Sequence, residues 1–225
     1  MTIRRAGVDT LICYFGERID PEIHRRVMAA ASALERGALP GIRGVIPSYA
    51  SLLVRYDPLL WEEEELTERL LELPTVPEAR ESAAPEPLRI PVWYDPEAGP
   101  DLEPLARELG LSVQELVAIH SGRSYRVYAI GFMPGFGYLG ELDPRIAAPR
   151  LATPRPLVPA GSVAIADRQS AVYPAASPGG WRLLGRTPLK LFDPDRADPS
   201  LLKVGMEVLF EPIPRERYLE LGGEL

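Results

Sequence analysis

The 225-residue chain is short of several things, and each shortage narrows what it does. Cys13 is its only cysteine, so no intramolecular disulfide forms and a metal site built on several thiolates is excluded. Only Lys190 and Lys203 are lysine among 25 basic residues, against 32 acidic ones. With a net charge of -7 the chain lacks the clustered cations that displace counterions from nucleic acid, so nucleic acid is not expected as a partner. There is no asparagine, and Gln114 and Gln169 are the only glutamines. Few labile amides together with 25 prolines suit a thermophile or a GC-rich genome. No apolar run approaches the ~18 residues needed to span a bilayer, and the N-terminus has no signal-peptide pattern. A cytoplasmic protein with no membrane partner is the expectation. Gly-x-Ser-x-Gly, His-Glu-x-x-His and Gly-x-Gly-x-x-Gly are all missing.

What is present is enough apolar material, 46% of the residues, to build a core. The pattern predicts an α+β protein in two parts, residues 1–85 and 86–225. Thr10 to Phe15 reads as a strand. Asp20 followed by Pro21 predicts a helix start, with Gly37 near its end, and Ile23, Val27, Ala30, Ala31 and Leu34 recur at helical spacing. His24 falls on the polar side and receives no role. Two strands follow, 41–49 and 50–57. Asp57-Pro58 repeats the start signal ahead of a helical stripe of Trp61, Leu66, Leu70 and Leu73. The acidic run Glu62 to Glu65 lies in its first turns, where negative charge suits the helix dipole. Pro74 to Leu88 reads as a proline-rich linker and Arg89 to Tyr94 as a strand. Strand, helix, strand, strand, helix, strand is the order of a ferredoxin-like βαββαβ unit.

Two helices lead the second part. Asp101 is placed as the cap of one, and Ser112-x-x-Glu115 is a capping box for the other. After Arg123 the chain turns to short strands divided by proline and glycine, which predicts a barrel or a sandwich. Residues 131 to 194 are dense in glycine, proline and aromatics without periodicity. Proline fixes φ and glycine permits close backbone approach, so these loops take one shape and suit a binding site on a rigid scaffold. Within them Gly180-x-x-x-x-Gly185-Arg186-Thr187 falls one residue short of a P-loop. Its intervening residues, "WRLL", are strand-like and Pro188 follows, so the expected structure is a hairpin: a turn at Pro178-Gly179-Gly180, then a returning strand that delivers Arg186 to a loop. The bare amides of Gly179 and Gly180 leave an anion nest open as well as a structural turn. His120, at a helix C-terminus, suits the dipole, and a general acid or base facing the loops is its functional reading. Cys13 reads as a core residue.

The segments "GFMPGFGYLG", "VPAGSVAIA", "SPGGWRLLGRTP" and "LFDP", in this order, resemble the family of the 5-oxoprolinase B component (PxpB), KipI and allophanate hydrolase subunit 1. The resemblance implies a ferredoxin-like N-terminal domain, a cyclophilin-like C-terminal β-barrel, and a subunit of an ATP-dependent enzyme that opens 5-oxo-L-proline to L-glutamate. It implies two partners, the 5-oxoprolinase C component (a second cyclophilin-like barrel) and the LamB/YcsF-like A component, and an ATP site shared with them. No biotin attachment context and no metal ligand set is expected in this chain. On this resemblance Arg150, Arg155 and Arg186 are candidate clamps and Gly179-Gly180 a candidate phosphate nest. His120, Tyr128, Tyr138 and Gln169 are candidates to polarise or orient the lactam. Phe132, Pro134, Gly135 and Phe136 of the first loop are expected to line the substrate site. So are Ser162, Tyr173, Ser177 and Trp181 of the later segments. The family reads Gly-x-Gln-Thr where this chain has Asp167-Arg168-Gln169-Ser170, which suggests a different local turn. A KipI-type inhibitor of a sensor histidine kinase is the alternative function. A prolyl isomerase rests on fold analogy alone.

Overall fold

The computed structural model describes residues 1–74 and 86–225 and divides the chain into two compact units, Met1–Ala84 and Pro85–Leu225. Most of the anticipated linker, residues 75–85, lies outside the described residues.

The first unit is a four-stranded antiparallel sheet with two helices. Its elements are β1 (Thr2–Gly7), β2 (Thr10–Tyr14), α1 (Pro21–Gly37), β3 (Ile42–Pro47), β4 (Ser51–Tyr56) and α2 (Glu63–Leu71), and the strands lie in the order β1-β2-β4-β3. Leu11, Cys13, Leu52 and Val54 meet Val27, Ala31 and Leu34 of α1 and Leu66 and Leu70 of α2 in one buried core. The α+β class is as expected, but the connectivity is ββαββα. The fourth strand of the ferredoxin-like sheet comes from the N-terminus rather than from the end of the unit. β1 escaped the sequence pattern because nearly all of its side chains face water. Asp20 does cap α1, accepting from the backbone N–H groups of Glu22 (2.8 Å) and Ile23 (3.3 Å). Asp57 instead closes a turn through Leu59 N–H, and α2 begins only at Glu63. His24 is fully buried, not polar-facing, because it shares the stripe of Val27, Ala31 and Leu34.

The second unit is a barrel. β5 (Leu88–Val92), α3 (Leu102–Glu108), α4 (Val113–Ser121), β6 (Ser124–Ile130) and β7 (Gly137–Gly140) come first. β8 (Arg155–Val158), β9 (Ser162–Ala166), β10 (Gln169–Val172), β11 (Ser177–Gly179), β12 (Arg182–Arg186), β13 (Glu207–Pro212) and α5 (Arg215–Glu220) follow. The six-residue α5 was not anticipated. Seven strands run in the order β12-β9-β10-β7-β6-β13-β5. The ring closes where Trp93 N–H donates to Arg186 O (2.8 Å) and Arg186 N–H donates to Trp93 O (3.0 Å). Val163, Ile165, Val172, Leu184, Val208 and Phe210 fill the interior together with Leu105 and Leu116 of the helices. The barrel expectation therefore holds over the sandwich. The segment read as the last strand of the βαββαβ order lies here, within residues 86–225, as β5, paired in parallel with β13.

β8 and β11 form a separate two-stranded ribbon. The expected hairpin around Gly179-Gly180 is absent, because β11 pairs with β8 and β12 pairs with β9. Asp167 stands at φ 51, a left-handed conformation that glycine adopts freely and Asp tolerates, so replacing the family's glycine does not call for a different turn.

Candidate functional site

The site begins with alternation. On β9 and β10 the residues between the barrel-interior positions point outward, and three of them, Ala164, Ala166 and Ala171, are small. They leave a flat floor on which aromatic rings lie. Phe136 sits at the centre, with ring centroids 4.9 Å from Tyr138, 5.4 Å from Tyr173 and 5.8 Å from Trp181. All three contacts are edge-to-face, the favourable arrangement for ring quadrupoles. Phe132 stands at the rim, 5.3 Å from Phe136 and 63% exposed, on a backbone at φ 68. A bulky residue at positive φ is strained, and such strain gathers at functional positions. The Arg150 guanidinium lies 5.7 Å over Trp181, a cation–π contact open to solvent.

The β8–β11 ribbon borders this face, with Gly179 opposite Arg155. A Cβ at Gly179 would run into the Tyr173 hydroxyl. That hydroxyl is hydrogen-bonded to the Trp181 backbone, and burial pushes the phenol pKa up. The side-chain position of Gly179 is thus taken by a tyrosine hydroxyl, and Arg182–Arg186 continue as strand β12 rather than as a phosphate loop. Ser177 donates to its neighbour's carbonyl, Pro178 O (3.2 Å). Pro134 and Gly135 shape the tight turn between Phe132 and Phe136, closed by Phe136 N–H to Met133 O.

Asp101 departs from the role anticipated for it. Its side chain caps no helix. It is buried, accepts from Leu183 N–H (2.7 Å) and holds Arg155 Nη2 (2.8 Å). Sequence reasoning missed this because an Asp ahead of a helix already has an ordinary local use. Arg155 Nη1 and Ser162 Oγ, both buried, have no hydrogen-bond partner among the described residues.

The remaining candidates lie elsewhere. Gln169 is in register with Gly140 on β7, and the Tyr128 ring packs against Gly140, so these two border the aromatic face one strand position on. His120 does not face the loops. It is fully buried, stacked 4.7 Å from Phe210, with Nδ1 2.7 Å from the Tyr94 hydroxyl and Nε2 2.9 Å from Ser170 Oγ. Burial lowers its pKa to about 3, so the ring is neutral. Arg186 donates to Ala160 O (3.2 and 3.1 Å) and acts electrostatically on Tyr218. It belongs with the Trp93–Tyr218 contact at the barrel seam and not with the aromatic face. A groove of about 490 Å³ between α4 and Pro212–Pro214, lined by Tyr94, Val117 and Ile213, contains none of the anticipated residues. Among the described residues no three His, Cys, Asp or Glu side chains gather as a metal site, and no helix is long and apolar enough to cross a membrane.

Comparison with known proteins shows the family. Residues 1–202 match the family model of the carboxyltransferase domain, subdomain C and D. The B component of 5-oxoprolinase from Bacillus subtilis is 40% identical over 230 residues, covering 96% of this chain and 94% of that protein. The same component from Escherichia coli O157:H7 is 47% identical over 152 residues, 68% of this chain and 63% of that protein. The crystal structure of TTHA0988 superposes with a TM-score of 0.82 at 39% identity; it covers 94% of this chain, which spans only 41% of that one. With a full-length match to a curated relative and a family model over most of its residues, the chain belongs to the carboxyltransferase-domain family of the 5-oxoprolinase B component, KipI and allophanate hydrolase subunit 1.

Proposed function

We propose that the chain is a subunit of an ATP-dependent 5-oxoprolinase that opens 5-oxo-L-proline to L-glutamate in the cytoplasm, together with the C component and the LamB/YcsF-like A component. The observation that carries this reading is the 40% identity to a 5-oxoprolinase B component over nearly the whole of both chains.

A lactam is a poor electrophile. Transfer of the γ-phosphoryl group to its amide oxygen activates the carbonyl carbon; water adds there, the ring C–N bond breaks with the nitrogen leaving as the amine, and hydrolysis of the resulting acyl phosphate releases glutamate and phosphate. The protein's share of such chemistry is positioning and charge stabilisation. The outer face of the barrel suits the first task. Phe136, Tyr173 and Trp181, almost fully buried, pack as a rigid support beneath half-buried Tyr138 and exposed Phe132, which are left to meet a small flat ring. Arg150 supplies a solvent-facing cation for the substrate carboxylate, and Gln169 and Tyr128 stand at the border to orient the lactam. The nucleotide is a different matter. The Tyr173 hydroxyl lies against Gly179 and Arg182–Arg186 form a strand rather than a phosphate loop, so we assign the triphosphate to a site completed by the partners.

The test is omission. The three proteins are co-expressed, and glutamate release dependent on ATP and 5-oxoproline is measured with and without this chain. Release only in its presence is expected. Unchanged release without it would defeat the reading and favour the KipI-type regulatory role.

A further inference from the structure

The proposed face is built from two different pieces of chain. The floor is the outer face of β9, β10 and β12. The β8–β11 ribbon packs directly on it, with Val158 in the aromatic cluster and Gly179 against the Tyr173 hydroxyl. Only four or fewer residues make up each ribbon strand, and its register slips between Ser177 and Gly179. Two short strands with an irregular ladder do not fix their own position.

Asp101 connects the two. Its backbone N–H donates to Leu183 O (3.1 Å) and its Oδ2 accepts from Leu183 N–H (2.7 Å), so the residue clasps β12 at both polar groups. Leu183 is itself part of the aromatic floor. The other carboxylate oxygen, Oδ1, holds Arg155 Nη2 at 2.8 Å, and Arg155 is the ribbon residue opposite Gly179. The Asp101 side chain is only 8% exposed, and that of Arg155 26%. A charge-assisted bond in such a place is stronger than one in water, and breaking it strands a buried charge. The segment that carries Asp101 is seated as firmly: a Cβ at Gly99 would run into the Leu184 carbonyl, so this loop lies directly on the β12 backbone.

We propose that Asp101 is the positioning residue of the site: through Leu183 and Arg155 it holds the ribbon packed on Phe136 and Tyr173, and so fixes the shape of the face against which a small carboxylate-bearing ring is held. The inference rests on the reading of this face as the 5-oxoproline site. Asp101 touches no substrate. Its loss loosens the binding geometry without removing a group that takes part in bond making.

The test uses the assembled three-protein enzyme. In Asp101→Asn the amide oxygen still accepts from Leu183 N–H but the charge that holds Arg155 is gone. KM for 5-oxoproline is expected to rise about tenfold, the size of one charge-assisted hydrogen bond, with kcat within about threefold. Arg155→Gln, on a partly exposed side chain, serves if Asp101→Asn does not fold, and is expected to raise KM in the same way. In the double variant the two effects are not additive, because both remove the same contact. An unchanged KM in Arg155→Gln, an additive double variant, or a fall in kcat at constant KM overturns the positioning role. All three leave the wild-type requirement for this chain intact, so they are distinguishable from failure of the functional reading, which shows only as release without the chain.

Discussion

His120 shows how burial decides the chemistry of a single residue. At the C-terminus of α4 it has the address of a charged helix cap. In the barrel it is neutral, its two ring nitrogens engaged by Tyr94 and Ser170. Its folded pKa of about 3 lies below the 6.5 of an unfolded histidine. As pH falls below about 6.5 the unfolded chain takes up a proton that the folded one refuses, so stability is lost from that pH downward towards the folded value. Denaturant unfolding at pH 5 is expected to show about 2 kcal/mol less stability than at pH 7.5 from this group alone. In His120→Gln, which carries no titrating group there, that difference disappears; an equal pH dependence in variant and wild type would mean that the imidazole is not buried neutral. The carboxylates held low by their partners, such as Asp143 at about 2 beside Arg145, titrate below this window and do not confuse it.

At the scale of elements, the β8–β11 ribbon is where side chain and backbone are fitted most closely. Gly179 is glycine because the Tyr173 hydroxyl passes beneath it. Gly179→Ala is expected to cost about 1–3 kcal/mol by overpacking. Adding Tyr173→Phe, which removes the colliding oxygen, is expected to recover part of that loss in the same denaturation experiment; a double variant no better than Gly179→Ala would place the strain elsewhere. How legible the elements were depended on whether their signals are local. Asp20-Pro21 and Ser112-x-x-Glu115 announce α1 and α4 because capping uses neighbours in the chain. β1 gave no such signal, since an edge strand with one half-buried apolar side chain has no alternation to read. Asp101 was misplaced for the opposite reason: a plausible local use hid a tertiary one. The hairpin expected at Gly179-Gly180 failed because the partner strands β8 and β9 lie roughly 20 residues upstream, and strand pairing is not written in the turn alone.

At the scale of the whole molecule, the same alternation that fills the barrel interior with Val163, Ile165 and Val172 turns Ala164, Ala166, Ala171 and Tyr173 outward, and the outward set becomes the candidate site. The loops of residues 131–194 were conspicuous through their glycines and prolines, and Phe132, Phe136, Tyr138, Tyr173 and Trp181 do come together. Nothing in the residue pattern separated them from Arg186 and His120, which share the same stretch of chain or the same chemistry but are carried by strand and helix to the seam and the core. The central claim is that substrate meets the aromatic face and not the seam. It is tested by kcat/KM for 5-oxoproline of the assembled enzyme carrying Phe132→Ala, at an exposed position, or Arg186→Ala, at a half-buried one. A fall of at least about tenfold is expected for Phe132→Ala and less than about threefold for Arg186→Ala. The reverse order, with Arg186 indispensable and Phe132 neutral, would contradict it.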